Sequence, residues 1–481
     1  MSVRFPGRGP TCIILTQVRD QKGMERQKAI LVIGGGLAGS EAAWQAARAG
    51  LRVALCEMRP VRPTPAHKTD RLAELVCSNS LKSNELASAA GLLKEELRRA
   101  GSLLIQIADR AAVPAGQALA VDREQFAAGV TAALEAHPLI RIRREEVRAL
   151  PRDTVVIVAS GPLTSDALSA DLAQLAGAEH LYFYDAISPI VDAETLDYSK
   201  IFRASRYGKD GRPDSGGDYL NCPLTREEYN SFVEAVLAAE EVERHEYEDA
   251  RYFEACLPLE ELARRGRDTL RFGPMKPVGL VDPRPEASGG RRPYAAVQLR
   301  QEDARASSYN LVGLQNHLRF TEQKRILRMI PGLEKAEFLR YGQIHRNTYL
   351  NAPALLAPSL ALRAHPDVFV AGQLCGTEGY VEAIATGFLA GTQAARLARG
   401  EEPAAPPRET ALGSLVHYIT RASPRGYQPA NIAFDLLPPL PEEESQRLRG
   451  KKDRRAAQCR RALAALEGWL KECLPAPVPA G

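Results

Sequence analysis

The 481-residue chain is poor in the features that mark unusual protein classes. Its eight cysteines are scattered, with no CxxC pair and no metal-ligand spacing. That pattern argues against a zinc centre or a disulfide framework and fits a reducing cytoplasm. No apolar run approaches the ~18–20 residues that a membrane span needs. The amino-terminal run Cys12–Leu15 is shorter than the ~7–15-residue core of a signal peptide. Neither charge sign dominates: Lys+Arg 63 against Asp+Glu 59 leaves a net +4, so a global polyanion-coating surface is excluded while a local basic patch stays open. No internal repeat of the ~20–50-residue kind is present. What remains is ordinary globular composition, 45% hydrophobic and 25% charged, long enough for roughly two to three domains.

Ala29–Ile33 is a short apolar run with the profile of a buried parallel strand. GGGLAG follows, then SEAAWQAARAG, an Ala-rich helix closed by Gly50, then the strand LRVALCE ending on Glu57. Strand, glycine turn, helix and strand make a βαβ unit. Further strands are expected at Thr154–Pro162 and within His365–Gly376, the latter followed by the helix EGYVEAIATGFLAGTQAARLA. Between about Asp185 and Leu318 the βα rhythm is lost and Tyr, Pro and charged residues increase. The expected organisation is an extension or misplaced start without function over 1–23, ahead of Met24. A dinucleotide-binding domain follows in two parts, 24–185 and 321–440, interrupted by an insertion at 186–320. A basic tail occupies 441–481.

Gly34, Gly36 and Gly39 match GxGxxG between a strand and a helix. The first allows the tight turn, the second lets the backbone approach a pyrophosphate, and the third lets helix and strand pack closely. The cofactor-binding stretch is therefore expected to be Gly34, Gly35, Gly36, Leu37, Ala38 and Gly39. Glu57, at the end of the next strand, would accept from ribose hydroxyls and disfavour a 2′-phosphate. A bare glycine turn without ligand is the alternative. FAD is favoured over NAD because VFVAGQLCGTEGYVEAIATGFLAG brings a second strand, glycine turn and helix N-terminus late in the chain, where a helix dipole can meet the flavin ring.

Several less common strings coincide in order: EMRPVRPTPAHKTDRLAELVCSNSLKSN, ASAAGLLKEELRRAGSLL, VPAGQALAVDR, YFEACLPLEELARRG, FGPMKPVGL, AVQLRQED, YNLVGLQNHLRF and AGQLCGTEGYVEAIATGFLAG. Together they resemble the folate- and FAD-dependent tRNA (uracil-5-)-methyltransferase family (TrmFO), a branch of the GidA-related flavoproteins. The resemblance runs from about Ile30 to Pro438. It implies an α/β fold, a Rossmann-like FAD-binding domain of the GR2 type interrupted by a smaller mixed α/β insertion domain. It also implies formation of 5-methyluridine in the T-loop of tRNA, with methylenetetrahydrofolate as carbon donor, reduced FAD as reductant and NAD(P)H regenerating it.

That chemistry calls for a thiolate that adds to uracil carbon 6, a proton-transfer group and a flavin. The resemblance assigns the catalytic pair to Cys77 in LVCSNS and Cys256 in FEACLP. Sequence leaves open which of the two adds to uracil; the reading favoured over its reverse has Cys256 as the uracil nucleophile and Cys77 close to the flavin, where a helix N-terminus or a cation such as Lys82 would favour its thiolate. Cys12, Cys56, Cys222, Cys375, Cys459 and Cys473 read as small buried apolar residues.

His67 and His345 stand in family-like loops, although satisfied structural histidines fit equally. Lys276 and Arg300 are candidates for the folate carboxylate or an RNA phosphate, or else solvated cations. The tail carries Arg447, Arg449, Lys451, Lys452, Arg454, Arg455, Arg460 and Arg461; such a run can follow a phosphate backbone or form a solvated face. The rival readings are the same chemistry on ribosomal RNA, a GidA-like wobble-uridine enzyme, and a simple NAD(P)H–flavin oxidoreductase, which would leave both motif cysteines unexplained.

Overall fold

A computed structural model describes residues 29–64, 66–176, 181–209, 216–242, 257–284, 292–303, 305–425 and 427–473. The extension over 1–23 and Cys256 lie outside the described residues. Five parallel strands form the first sheet, in the spatial order Val368–Val370, Val155–Val158, Ile30–Ile33, Val53–Glu57 and Ile140–Arg144. The four neighbouring strands from Val368 to Glu57 are apolar and nearly all buried, as expected where helices cover both faces. Ile140–Arg144 alternates Ile with Arg because it is an edge. Chain order runs outward in both directions from Ile30–Ile33. A crevice therefore opens at the carboxyl ends of the strands, at the topological switch point.

Helix Leu37–Arg48 follows the first strand, and helix Tyr380–Ala398 lies against it. Gly387 and Gly391, four apart and hence on one face, let the two helices touch. A Cβ on Gly387 would run into the Ala38 backbone, and one on Gly391 into that of Ala42. This close approach brings the first turn of the late helix to the early glycine turn.

The second sheet is antiparallel and six-stranded: Phe202–Arg203, Tyr219–Leu224, Ala295–Gln301, Ser308–Leu311, Ile190–Asp192 and Phe338–Arg340. Helix Arg226–Leu237 starts on a capping box between Thr225 and Glu228 and buries Tyr229, Phe232, Val233 and Val236 in this sheet's own core. The edge strand Phe338–Arg340 lies beyond residue 320. A two-stranded ribbon, Leu181–Ile187 with Gln343–Tyr349, carries the chain into and out of this sheet. Helix Gly450–Cys473 closes the described chain and contributes Cys459, Ala462, Leu463, Leu466 and Trp469 to the main core. No helix among the described residues is long and apolar enough to cross a membrane.

Candidate active site

A cavity of about 410 Å³ occupies the switch-point crevice. Its wall takes residues from just past the carboxyl ends of all five parallel strands: Gly34 and Gly36, Glu57, Glu145, Ala159 and Gly372. Gly34 has φ +103°, a left-handed conformation that favours glycine, and a Cβ there would strike the Ala159 carbonyl. Gly36 differs: a Cβ built on it meets nothing within 4 Å, because the residue faces the open cavity. Leu37 and Ala38 open the helix on the same wall. Gly35 and Gly39 stand behind the wall. The Gly35 N–H donates to Glu57 Oε2 (2.8 Å), and Gly39 packs on the Gly34 carbonyl.

Glu57 is 5% exposed. Burial opposes its ionisation, but the Arg59 side chain and the Arg59 and Gly35 N–H groups outweigh burial and hold the carboxyl below its ordinary value. These three protein bonds leave one of a carboxylate's roughly four acceptor directions open, enough for one ribose hydroxyl. An open glycine backbone, two helix N-termini and a buried carboxylate within one cavity suit a dinucleotide such as FAD.

The loop Leu75–Asn79 crosses this cavity and is tied down from several remote parts of the chain. Arg123 Nη1 donates to the Leu75 carbonyl (2.5 Å) and also pairs with Glu302. Arg340 donates to the Val76 (2.8 Å) and Cys77 (3.2 Å) carbonyls. Arg300 reaches Asn79 Oδ1 (2.9 Å) and Ser78 Oγ (2.7 Å), while Asn79 Nδ2 donates to the Val121 and Gln301 carbonyls. The Cys77 and Ser78 N–H groups donate to the Tyr380 hydroxyl at 2.8 and 3.1 Å. With its oxygen accepting twice, that hydroxyl directs its own proton to Cys77 Sγ, 2.8 Å away. Burial, followed by the adjacent thiol, holds Tyr380 well above the ordinary tyrosine value, so it stays a neutral donor.

Among the described cysteines, Cys77 is the only one that is not fully buried. Burial pushes the Cys375 thiol up to about 12 and the Cys459 thiol to about 11, and raises Cys222 further. Such thiols stay protonated and inert. His67 borders the cavity and its Nδ1 lies 2.6 Å from Thr64 Oγ1.

A family model described as Glucose inhibited division protein A matches residues 29–402. The methylenetetrahydrofolate–tRNA-(uracil-5-)-methyltransferase TrmFO of Solibacter usitatus is 64% identical over 444 residues, covering 92% of this chain and 98% of its own. The chain belongs to the TrmFO family. A second TrmFO relative, from Koribacter versatilis, is 58% identical over 442 residues, with 92% of this chain and 98% of its own covered. The solved structure of Aquifex aeolicus GidA in its form I crystal shares the fold, with TM-score 0.66, 17% identity, and coverage of 93% of this chain and 77% of its own. The expected α/β fold, with its Rossmann-like flavoprotein domain, is therefore the one observed, and the second sheet is antiparallel.

Within that fold, the expected contacts of Lys82 and Arg300 are placed differently. Lys82, expected as the cation beside Cys77, directs its ammonium to Glu382 (3.1 Å) and Asn431. Arginines hold the Cys77 loop instead. The expected helix N-terminus is that of Tyr380–Ala398, which reaches the thiol through the hydroxyl of its first residue, Tyr380. Arg300, expected to meet folate or RNA phosphate, is buried beneath Ser78 and Asn79. Lys276 is exposed. The side chain of His345 lies outside the described residues.

Proposed function

We propose that this chain forms 5-methyluridine in the T-loop of tRNA in the cytoplasm. Methylenetetrahydrofolate donates the carbon, and NAD(P)H is the ultimate reductant. The observation that carries the reading is the placement of Cys77: a half-buried thiol on a loop crossing a dinucleotide-shaped cavity, with a neutral tyrosine hydroxyl aimed at it.

FAD, when bound, supplies the reducing equivalents to the reaction. Gly36, Leu37 and Ala38 would hold its pyrophosphate on backbone N–H groups, Gly34 would make the turn beneath it with its own N–H on the Cys56 carbonyl, and Glu57 would orient a ribose. Gly35 and Gly39 keep that wall in shape. Cys256 is proposed as the thiolate that adds to uracil carbon 6, making carbon 5 nucleophilic toward the one-carbon unit. A base then removes the carbon 5 proton. Breaking of the carbon–nitrogen bond to tetrahydrofolate then leaves an exocyclic methylene on carbon 5, and a two-electron reduction of that methylene gives the methyl group as the thiolate departs from carbon 6. Cys77 acts beside the flavin, where the Tyr380 O–H can stabilise negative charge on Sγ. Arg123, Arg300 and Arg340 fix the loop and surround it with positive charge, which favours anionic species at this point.

Nucleoside analysis of bulk tRNA and ribosomal RNA from a strain lacking the gene tests the assignment. Loss of 5-methyluridine from tRNA supports it. Loss confined to ribosomal RNA, or to a modified wobble uridine, overturns it in favour of that rival.

A further inference from the structure

The C-terminal helix Gly450–Cys473 has one face in the main core and another lined with cations. Residues 447–461 carry eight Lys or Arg against the single acid Asp453. Arg461 is engaged, donating to the Pro439 carbonyl (2.8 Å). Lys451, Arg454 and Arg455 instead border a second cavity of about 480 Å³, which Phe434 and Asp435 also line. Lys451 and Arg454 are exposed, and none of the three cations forms an ion pair among the described residues. The Arg455 guanidinium lies 4.9 Å from the centre of the Phe434 ring, so a flat cation and an aromatic face share one wall. Asp435 is the one carboxylate on that wall, and Glu442, Glu443 and Glu444 sit in the short helix before it. Cations outnumber carboxylates around the cavity itself.

The position matters as much as the charge. Asn431 lines the flavin cavity, and Ala433 lines the cationic one. Two residues span at most ~7 Å of chain. Between them the Ile432 N–H donates to Glu382 Oε1 (3.1 Å), fixing the segment to the first turn of helix Tyr380–Ala398. The two cavities are therefore held side by side on one ordered strip of backbone.

We propose that the cleft formed by Lys451, Arg454, Arg455 and Phe434 is a second RNA contact. It grips the phosphodiester backbone of the substrate tRNA while the target uridine enters the flavin cavity. The inference rests on tRNA being the substrate. Unpaired cations beside a polyanion release condensed counterions on binding, so each contact adds to affinity and to its salt dependence.

The test uses full-length, FAD-loaded protein and tRNA lacking 5-methyluridine. The variant Lys451→Gln/Arg454→Gln/Arg455→Gln should bind at least tenfold more weakly in 50 mM salt. Its plot of log affinity against log salt should be shallower by about one per lost phosphate contact. Flavin absorbance and kcat at saturating tRNA should not change. The charge-conserving variant Lys451→Arg/Arg454→Lys/Arg455→Lys should bind like wild type. Wild-type affinity and slope in the Gln variant would overturn the proposal. So would equal loss in both variants, since the effect would then come from altered packing. Affinity is read independently of product, so an error in the methylation reading would show separately, as wild-type protein that makes no 5-methyluridine.

Discussion

At Gly36 the protein leaves a space that no protein atom fills, and its φ of −72° is one that any residue adopts. Gly36→Val should therefore fold with near-normal thermal stability yet purify colourless, because the β-branched side chain would occupy the path of the pyrophosphate. Full flavin absorbance in that variant would place the cofactor elsewhere. Cys77→Ala should keep its flavin and lose methylation. Tyr380→Phe removes one hydrogen bond to sulfur and an acceptor for two backbone N–H groups. Bonds of this kind are worth about 1.5–3 kcal/mol when one partner is charged, so kcat should fall on the order of ten- to a hundredfold. A wild-type kcat would show that the hydroxyl serves only the loop. The glycine turn was legible in the sequence because its logic is local: three glycines, a strand before and a helix after. Tyr380 was not, since it lies 303 residues from Cys77 and no spacing rule links them. The same holds for Arg123, Arg300 and Arg340, whose guanidinium groups act on backbone carbonyls or polar side chains far away in sequence.

Between elements, the contact that shapes the site is that of helices Leu37–Arg48 and Tyr380–Ala398. Gly387→Leu would force them apart, costing about 1–3 kcal/mol or more for overpacking. The variant should melt at a lower temperature and hold FAD more weakly, whereas wild-type values for both would contradict the packing argument. A second element-scale expectation concerns Glu96, which is 1% exposed and accepts the Ala411 and Leu412 N–H groups that open helix Ala411–Arg421. Burial pushes its carboxyl up from 4.5 to about 8, against those two bonds. The folded state thus holds the proton longer than the unfolded chain. Stability from this group is fully present below about pH 4.5 and is lost as pH rises to about 8. Thermal unfolding from pH 4.5 to 8 should show wild type falling relative to Glu96→Gln, and parallel curves would refute it. Four of the five parallel strands could be read from apolar runs and glycine punctuation, but Ile140–Arg144 could not, because its alternating arginines break the apolar run. The second sheet could not, because its antiparallel strands follow no βα rhythm and several pair across long stretches of chain. Its edge strand Phe338–Arg340 pairs with Ile190–Asp192, almost 150 residues earlier.

At the scale of the molecule, the two sheets and the late helix converge on the loop Leu75–Asn79 at the flavin cavity. The antiparallel sheet supplies Arg300 and Arg340, the parallel sheet supplies the glycine turn, and the late helix supplies Tyr380. Removing the cations of the C-terminal helix should loosen tRNA without touching the flavin. Their clustering was visible in the sequence, but their neighbour Phe434 and their closeness to the flavin cavity were not, because both depend on how the connector 422–440 folds back. The ordered strings of the TrmFO resemblance carried the functional assignment further than any single motif. The most direct measurement supplies purified wild-type protein with tRNA lacking 5-methyluridine, NAD(P)H and methylenetetrahydrofolate labelled in its one-carbon unit, followed by nucleoside analysis. Label should appear in 5-methyluridine of the T-loop with wild type and be absent with Cys77→Ala. Unlabelled uridine at that position with wild-type, flavin-loaded protein would contradict the account.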